Sequence, residues 1–159
     1  MPRFLKRAAY SFLLLGLLYG CQQEVYNYFD GFHNYMLQEH QVDVSKTKDH
    51  IYYIIPFSNC NSCQGSDLNL SLLEEQQIQQ EKITLLLTGN LQQSTHRQRI
   101  RKLSNHYTTI QDEGNAIDQY PTGLSKPILL HIQNGSVKKY FLINDPDIPQ
   151  VKEYLQNLI

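Results

Sequence analysis

A chain of 159 residues is long enough for one domain with a real core, and too short to make two the expectation. Hydrophobic residues at 41% and charged residues at 18% exclude a disordered chain. The formal net charge of −1 gives no reason to expect a nucleic-acid partner.

The apolar residues are densest at the start. Arg3, Lys6 and Arg7 precede an apolar run of 11 residues, Ala8 to Leu18. That run is too short to span a bilayer, which needs ~20 apolar residues. It ends at Leu18-Tyr19-Gly20-Cys21, and the whole pattern resembles the bacterial lipoprotein signal peptide, with Tyr19 a departure from the usual small or aliphatic residue. The resemblance implies cleavage after residue 20, a diacyl group on Cys21, and a lipid anchor facing the periplasm in a bacterial cell envelope. An uncleaved signal anchor is the alternative. Loss of residues 1–20 takes three positive charges with it and moves the formal net charge from −1 to −4.

Residues 21–49 then read as lipidated cysteine, spacer and edge helix. Val25, Phe29, Phe32 and Met36 make an amphipathic stripe that predicts a helix from about Val25 to His40. Gly31 weakens that helix by ~1 kcal/mol relative to alanine.

Residues 50–159 carry the pattern of an α/β domain. His50 to Pro56 is β-branched and aromatic, a buried strand. A helix is expected from near Cys60 to Gln80, kinked around Gly65 and Ser66. Lys82 to Thr88 is a second buried strand, and Ser94 is placed to cap a helix running to about Asn105. Arg97, Arg99, Arg101 and Lys102 on that helix read as a solvated basic face. A short strand over 107–111, a turn over 112–115 and one helical turn over 116–120 follow. Pro127 opens a strand to Ile132, Asn134-Gly135 signals a hairpin, and Val137 to Ile143 is its return strand. Asp147 is expected to cap a final helix with the stripe Ile148, Val151, Leu155 and Leu158. Alternating elements ending in a hairpin and helix predict a mixed sheet covered on both faces.

Three cysteines in an exported chain leave one over, and acylation of Cys21 accounts for it. Cys60 and Cys63 remain as a C-x-x-C pair, in a compartment where disulfides persist. Zinc takes four ligands, and no second C-x-x-C or H-x-x-x-H completes such a site. The six histidines are scattered, each with an ordinary reading as a surface or satisfied core residue. An inert local disulfide is the plain alternative to redox chemistry.

Strand, Cys60-Asn61-Ser62-Cys63, then helix is one of three features by which residues 50–159 resemble the thioredoxin superfamily, in particular its membrane-tethered TlpA/ResA-like redoxins. The second is Pro127-Ile128-Leu129-Leu130-His131-Ile132-Gln133-Asn134-Gly135, similar to the family's cis-proline strand and its following turn. The third is the stretch from Asp112 to Tyr120, similar to the extra segment of that branch. The resemblance implies a thioredoxin-like fold with a central mixed sheet flanked by helices. It also implies catalysis by Cys60 as nucleophile, Cys63 as resolving cysteine, and Pro127 facing them through a cis Lys126–Pro127 bond. A thiol at a helix start falls from ~8.5 to ~3.5–7.5. No cofactor is implied, because the cysteines carry the electrons. The partners implied are a protein thiol or disulfide substrate and an envelope redox protein that the sequence does not identify.

Three departures weigh against fast, general reductase activity. Asn59 replaces the family's aromatic before the first cysteine, Asn61-Ser62 replaces its usual Gly-Pro or Glu-Pro, and Tyr53-Ile54-Ile55 lacks its buried acid. Proton transfer to Cys63 then falls to water or another group, with Asp67 a weak candidate. Two rival readings follow: a degenerate thioredoxin-fold binding module with a structural disulfide, and a copper chaperone using the two thiolates and a histidine.

Overall fold

The structure is a computed structural model describing residues 26–57, 63–75, 80–91 and 96–158, with backbone alone at 63–66 and 80. Cys21, Cys60, Ser94 and the leader over 1–20 lie outside the described residues. The β-branched and aromatic run forms β1, Asp49–Pro56, in which Ile51 to Ile55 are buried without a break. Continuous burial means that both faces of this strand are covered. The same holds for β2, Ile83–Thr88, which pairs parallel to β1 from Ile51↔Ile83 to Pro56↔Thr88. On its far side β2 pairs parallel with β3, Thr108–Asp112.

β4, Ile128–Gln133, runs antiparallel on the other side of β1, and β5, Ser136–Leu142, is antiparallel to β4. The sheet is therefore mixed, five-stranded, in the order β3-β2-β1-β4-β5. The hairpin expected at Asn134-Gly135 is present. Both residues have positive φ, 52° and 73°, the conformation that a two-residue type I′ turn requires. Their N–H groups donate to the Lys48 and Thr47 carbonyls, tying the turn to the chain that enters β1.

Helices cover the two faces unequally. Alternate residues Ile51, Tyr53 and Ile55 of β1 pack with α2 (Cys63–Glu75), α3 (Arg97–Ser104) and α4 (Ile148–Gln156). Tyr52 and Ile54 face the other way, onto Phe32, Tyr35 and Met36 of α1 (Phe29–His40). The architecture is the expected helix-flanked α/β sandwich, and the terminal stripe holds, with Val151 and Leu155 fully buried.

Two local expectations are corrected. α2 is described as far as Glu75, residues 76–79 lie outside the described residues, and Gln80, the expected end of that helix, belongs to a 3₁₀ turn over 80–82 ahead of β2. Asp147 does not cap α4 through its side chain. Its carboxylate accepts instead from the Asn144 backbone N–H at 2.8 Å and side-chain amide at 3.0 Å, closing the turn before α4. Pro149 near the start of α4 makes a side-chain cap less needed, since it has no N–H to satisfy.

Candidate functional site

Three parallel strands deliver their carboxyl ends to one rim of the sheet. Pro56, Thr88 and Asp112 are in register there. The rim continues past the strands: Phe57 N–H donates to the Thr88 carbonyl at 2.7 Å, and Gly89 N–H to the Asp112 carbonyl at 3.0 Å. In open α/β sheets this end is where ligands and chemistry gather. From Phe57 the chain reaches Cys63, the first residue of α2, in six residues. Cys63 thus occupies the positive end of a 13-residue helix, where the first N–H groups lack intrahelical partners. Cys60 falls between Phe57 and Cys63, outside the described residues.

Pro127 comes to the same rim by a different route. Ile128 pairs with Ile54, so the antiparallel register sets Pro127 level with Ile55, one residue from the end of β1. It is buried, and its carbonyl accepts from Ile143 N–H at 2.8 Å. The cis bond expected here is corrected: among the described residues no peptide bond is cis, so Lys126–Pro127 is trans. A bend at Ser125 and Lys126 already redirects the chain, and the trans form is the lower in energy for an X–Pro bond. Nor is Pro127 at an edge, since β4 lies between β1 and β5. Proline is tolerated because it stands just ahead of the strand's first residue.

Beneath α2, where the resemblance leads one to expect a buried acid, β1 presents Tyr53. Its ring is fully buried and its hydroxyl donates to Asn69 Oδ1 on α2. Burial pushes the phenol far above its usual range, so this pair is neutral at any ordinary pH.

Asp67 is committed elsewhere. Asp67, Ser71 and Glu74 form one row along α2, and Arg99 of α3 lies across all three. The guanidinium grips Glu74 bidentately at 3.1 and 2.9 Å, donates to Ser71 Oγ at 2.9 Å and pairs with Asp67. Arg99 therefore leaves the solvated basic face expected for its helix, and Glu74 and Asp67 hold its charge more firmly than in water. His96, just ahead of α3, sets Nδ1 3.4 Å from the other end of this row at Asp67 Oδ1. Its ring also packs at 6.2 Å on Phe57, the last described residue before the cysteine motif. Sequence reasoning missed His96 and Arg99. The spacing of Cys63, Asp67 and Ser71 at i, i+4 was legible, but not which distant side chains would meet it.

On the opposite face, α1 clamps the segment between β3 and Pro127. Tyr35 donates its hydroxyl to Asp112 Oδ2 at 3.1 Å, and that carboxylate also accepts the Ala116 and Ile117 N–H groups, each at 2.9 Å. Burial first, then the negative Asp112, raises the Tyr35 phenol well beyond its usual range. At the far pole of the sheet His131, 2% exposed, bridges Asp49 at 2.7 Å and Tyr154 at 2.6 Å. It is thus a satisfied core histidine. Among the described residues no three His, Cys, Asp or Glu side chains are placed to hold a metal ion. No helix among them is long and apolar enough to cross a membrane.

No family model and no curated protein matches this chain. Solved structures do. A secreted Mycobacterium tuberculosis disulfide oxidoreductase homologous to E. coli DsbE matches over 70% of this chain and 82% of its own, at 7% identity and a TM-score of 0.43. A DsbF homologue from Corynebacterium diphtheriae matches over 75% and 76%, at 12% identity and 0.39. The N-terminal domain of PilB from Neisseria gonorrhoeae matches over 73% and 82%, at 18% identity and 0.39.

Proposed function

We propose that this chain is a TlpA/ResA-like thiol–disulfide oxidoreductase of the bacterial cell envelope, held to a membrane by lipid on Cys21 and acting on protein disulfides through Cys60 and Cys63. Two features of the chain support the reading. Cys63 opens the helix that follows the central parallel strand, and Pro127 enters the neighbouring antiparallel strand beside that strand's end.

In this reading Cys60 attacks a substrate disulfide as the thiolate, forming a mixed disulfide and releasing one substrate thiolate. Cys63, also as the thiolate, then attacks the Cys60 sulfur. That step forms the Cys60–Cys63 disulfide and releases the second substrate thiolate. Two electrons pass from the cysteine pair to the substrate, so no bound cofactor is needed. Pro127, buried level with the end of β1, backs that end of the sheet with a residue that offers no N–H.

Trapping tests it. The Cys63→Ser variant should accumulate a mixed disulfide through Cys60 with an envelope protein, absent from the Cys60→Ser control. Fatty-acid labelling that disappears with Cys21→Ser tests the anchor. A second reading, a binding module with a structural disulfide, is favoured by the neutral Tyr53–Asn69 pair where the family keeps an acid. A reduction potential below ~−300 mV for the Cys60–Cys63 pair would select it.

A further inference from the structure

We propose that the open edge of β3 is a docking site for an extended acidic segment of a partner protein, held between that edge and Arg97 and Arg101 of α3. The site stands apart from the cysteine motif and does not depend on its chemistry. β3 pairs with β2 on one side, and among the described residues no strand lies on its other side. The Asp112 carbonyl accepts from Gly89 N–H, so Asp112 and Ile110 turn their backbone groups toward β2. The alternation of a parallel ladder then directs the N–H and C=O groups of Thr109 and Gln111 outward.

The two edges of the sheet are built differently. β5, at the opposite edge, carries the exposed Lys138 and Lys139, and its register with β4 shifts between His131 and Ile132. Edge lysines and irregular pairing are devices by which sheets discourage an added strand. β3 has neither. Its sequence Thr108-Thr109-Ile110-Gln111-Asp112 holds no lysine, arginine or proline, and its ladder to β2 runs without a shift. The charge it does carry, on Asp112, is buried.

The charge of the partner follows from the cleft beside that edge, an open space of about 420 Å³. Arg97, Ile100 and Arg101 of α3 line it together with Gln111, Glu113 and Leu91. Both arginines are exposed, and neither has an ion-pair partner among the described residues. Arg99, between them, is engaged with α2 instead. The lining thus sets two guanidiniums against one carboxylate. Because α3 joins the parallel strands β2 and β3, it runs back antiparallel to both. Arg97 and Arg101 are separated by roughly 6 Å along the helix, close to the roughly 6.6 Å between alternate residues of a strand. Acidic residues at alternate positions of an added strand therefore meet both guanidiniums. The residue between them faces the other way, beside the half-buried Ile110. A second copy of β3 fits less well, because Thr109 and Gln111 are uncharged and the arginines of the two α3 helices would approach each other.

The test titrates a short fluorescent peptide that alternates glutamate with valine into the full-length protein, read by anisotropy. This peptide should bind, and its lysine–valine counterpart should not. Arg97→Ala combined with Arg101→Ala should weaken the glutamate peptide roughly tenfold and leave the urea midpoint almost unchanged. Amide hydrogen exchange in the parent protein locates the strand. The peptide should slow exchange at Thr109 and Gln111 and leave Ile110 and Asp112, already turned toward β2, as they were.

Equal binding of the two peptides overturns the proposal, as does binding of neither. Undiminished affinity in the double arginine variant overturns it too, and so does binding without slowed exchange at Thr109 and Gln111. Slowing of those two amides by a rise in protein concentration alone assigns the edge to a second copy and likewise overturns it. None of these results bears on the oxidoreductase reading, which the trapping experiment decides.

Discussion

Gly31 of α1 lies directly against the Pro121 carbonyl: a Cβ at position 31 would stand 2.0 Å from that oxygen. The helix accepts a poor helix former because this is where it must touch the segment leading to Pro127. Gly31→Ala should therefore destabilise the fold by about 1–2 kcal/mol, although alanine favours the helix by ~1 kcal/mol. Urea denaturation reads the sign directly, and a raised midpoint would mean that the contact is loose.

The Asp49–His131–Tyr154 chain fastens α4 to the sheet from within. Tyr154→Phe removes one hydrogen bond to a buried imidazole and should cost about 1–1.5 kcal/mol. His131→Phe should cost more, since it strips partners from both Asp49 and Tyr154. A double-mutant cycle of the two should show coupling of at least ~0.5 kcal/mol. Strict additivity would contradict a shared network.

Stability should fall in two steps on acidification. Burial lowers His50 below its ordinary 6.5. The fold thus favours its neutral form, and that contribution is complete above pH 6.5 and lost as pH falls through the folded value. Asp49 is lowered from 3.8, chiefly by the His131 hydrogen bond, so its contribution is present above pH 3.8 and disappears below. His50→Gln should flatten the urea midpoint between pH 7 and 5, and Asp49→Asn should flatten it below pH 4.

Arg99→Ala should loosen α3 from α2 more than an ordinary surface charge would. Its four side-chain partners in Glu74, Ser71 and Asp67 are partly solvated, so the expected loss is modest, about 1 kcal/mol. Arg101→Ala, on the same helix, serves as the comparison and should change little. Equal effects would show that the grip on α2 contributes nothing.

The sheet was legible in the sequence because its strands are so plainly patterned. Five consecutive buried residues in β1, six in β2 and the Asn134-Gly135 turn leave few alternatives. Strand-to-helix placement of Cys63 follows from the same local signals. What was not legible depends on partners distant in the chain. Arg99 looks like one member of a basic face until Asp67, Ser71 and Glu74, some thirty residues away, come under it. Asp147 has the composition of a helix cap but satisfies the nearer Asn144. The cis Lys126–Pro127 bond was expected from a resemblance and not from any local feature, and there the expectation failed.

The described chain begins at Tyr26, whose hydroxyl donates to the Thr122 carbonyl, five residues ahead of Pro127. An acyl group on Cys21 would therefore sit five peptide units from a fixed point on the fold, roughly 18 Å at full extension. So short a leash would keep the protein skimming the lipid headgroups, with little freedom to tumble. It would select for clients that travel in or along the same bilayer over those that diffuse freely past it.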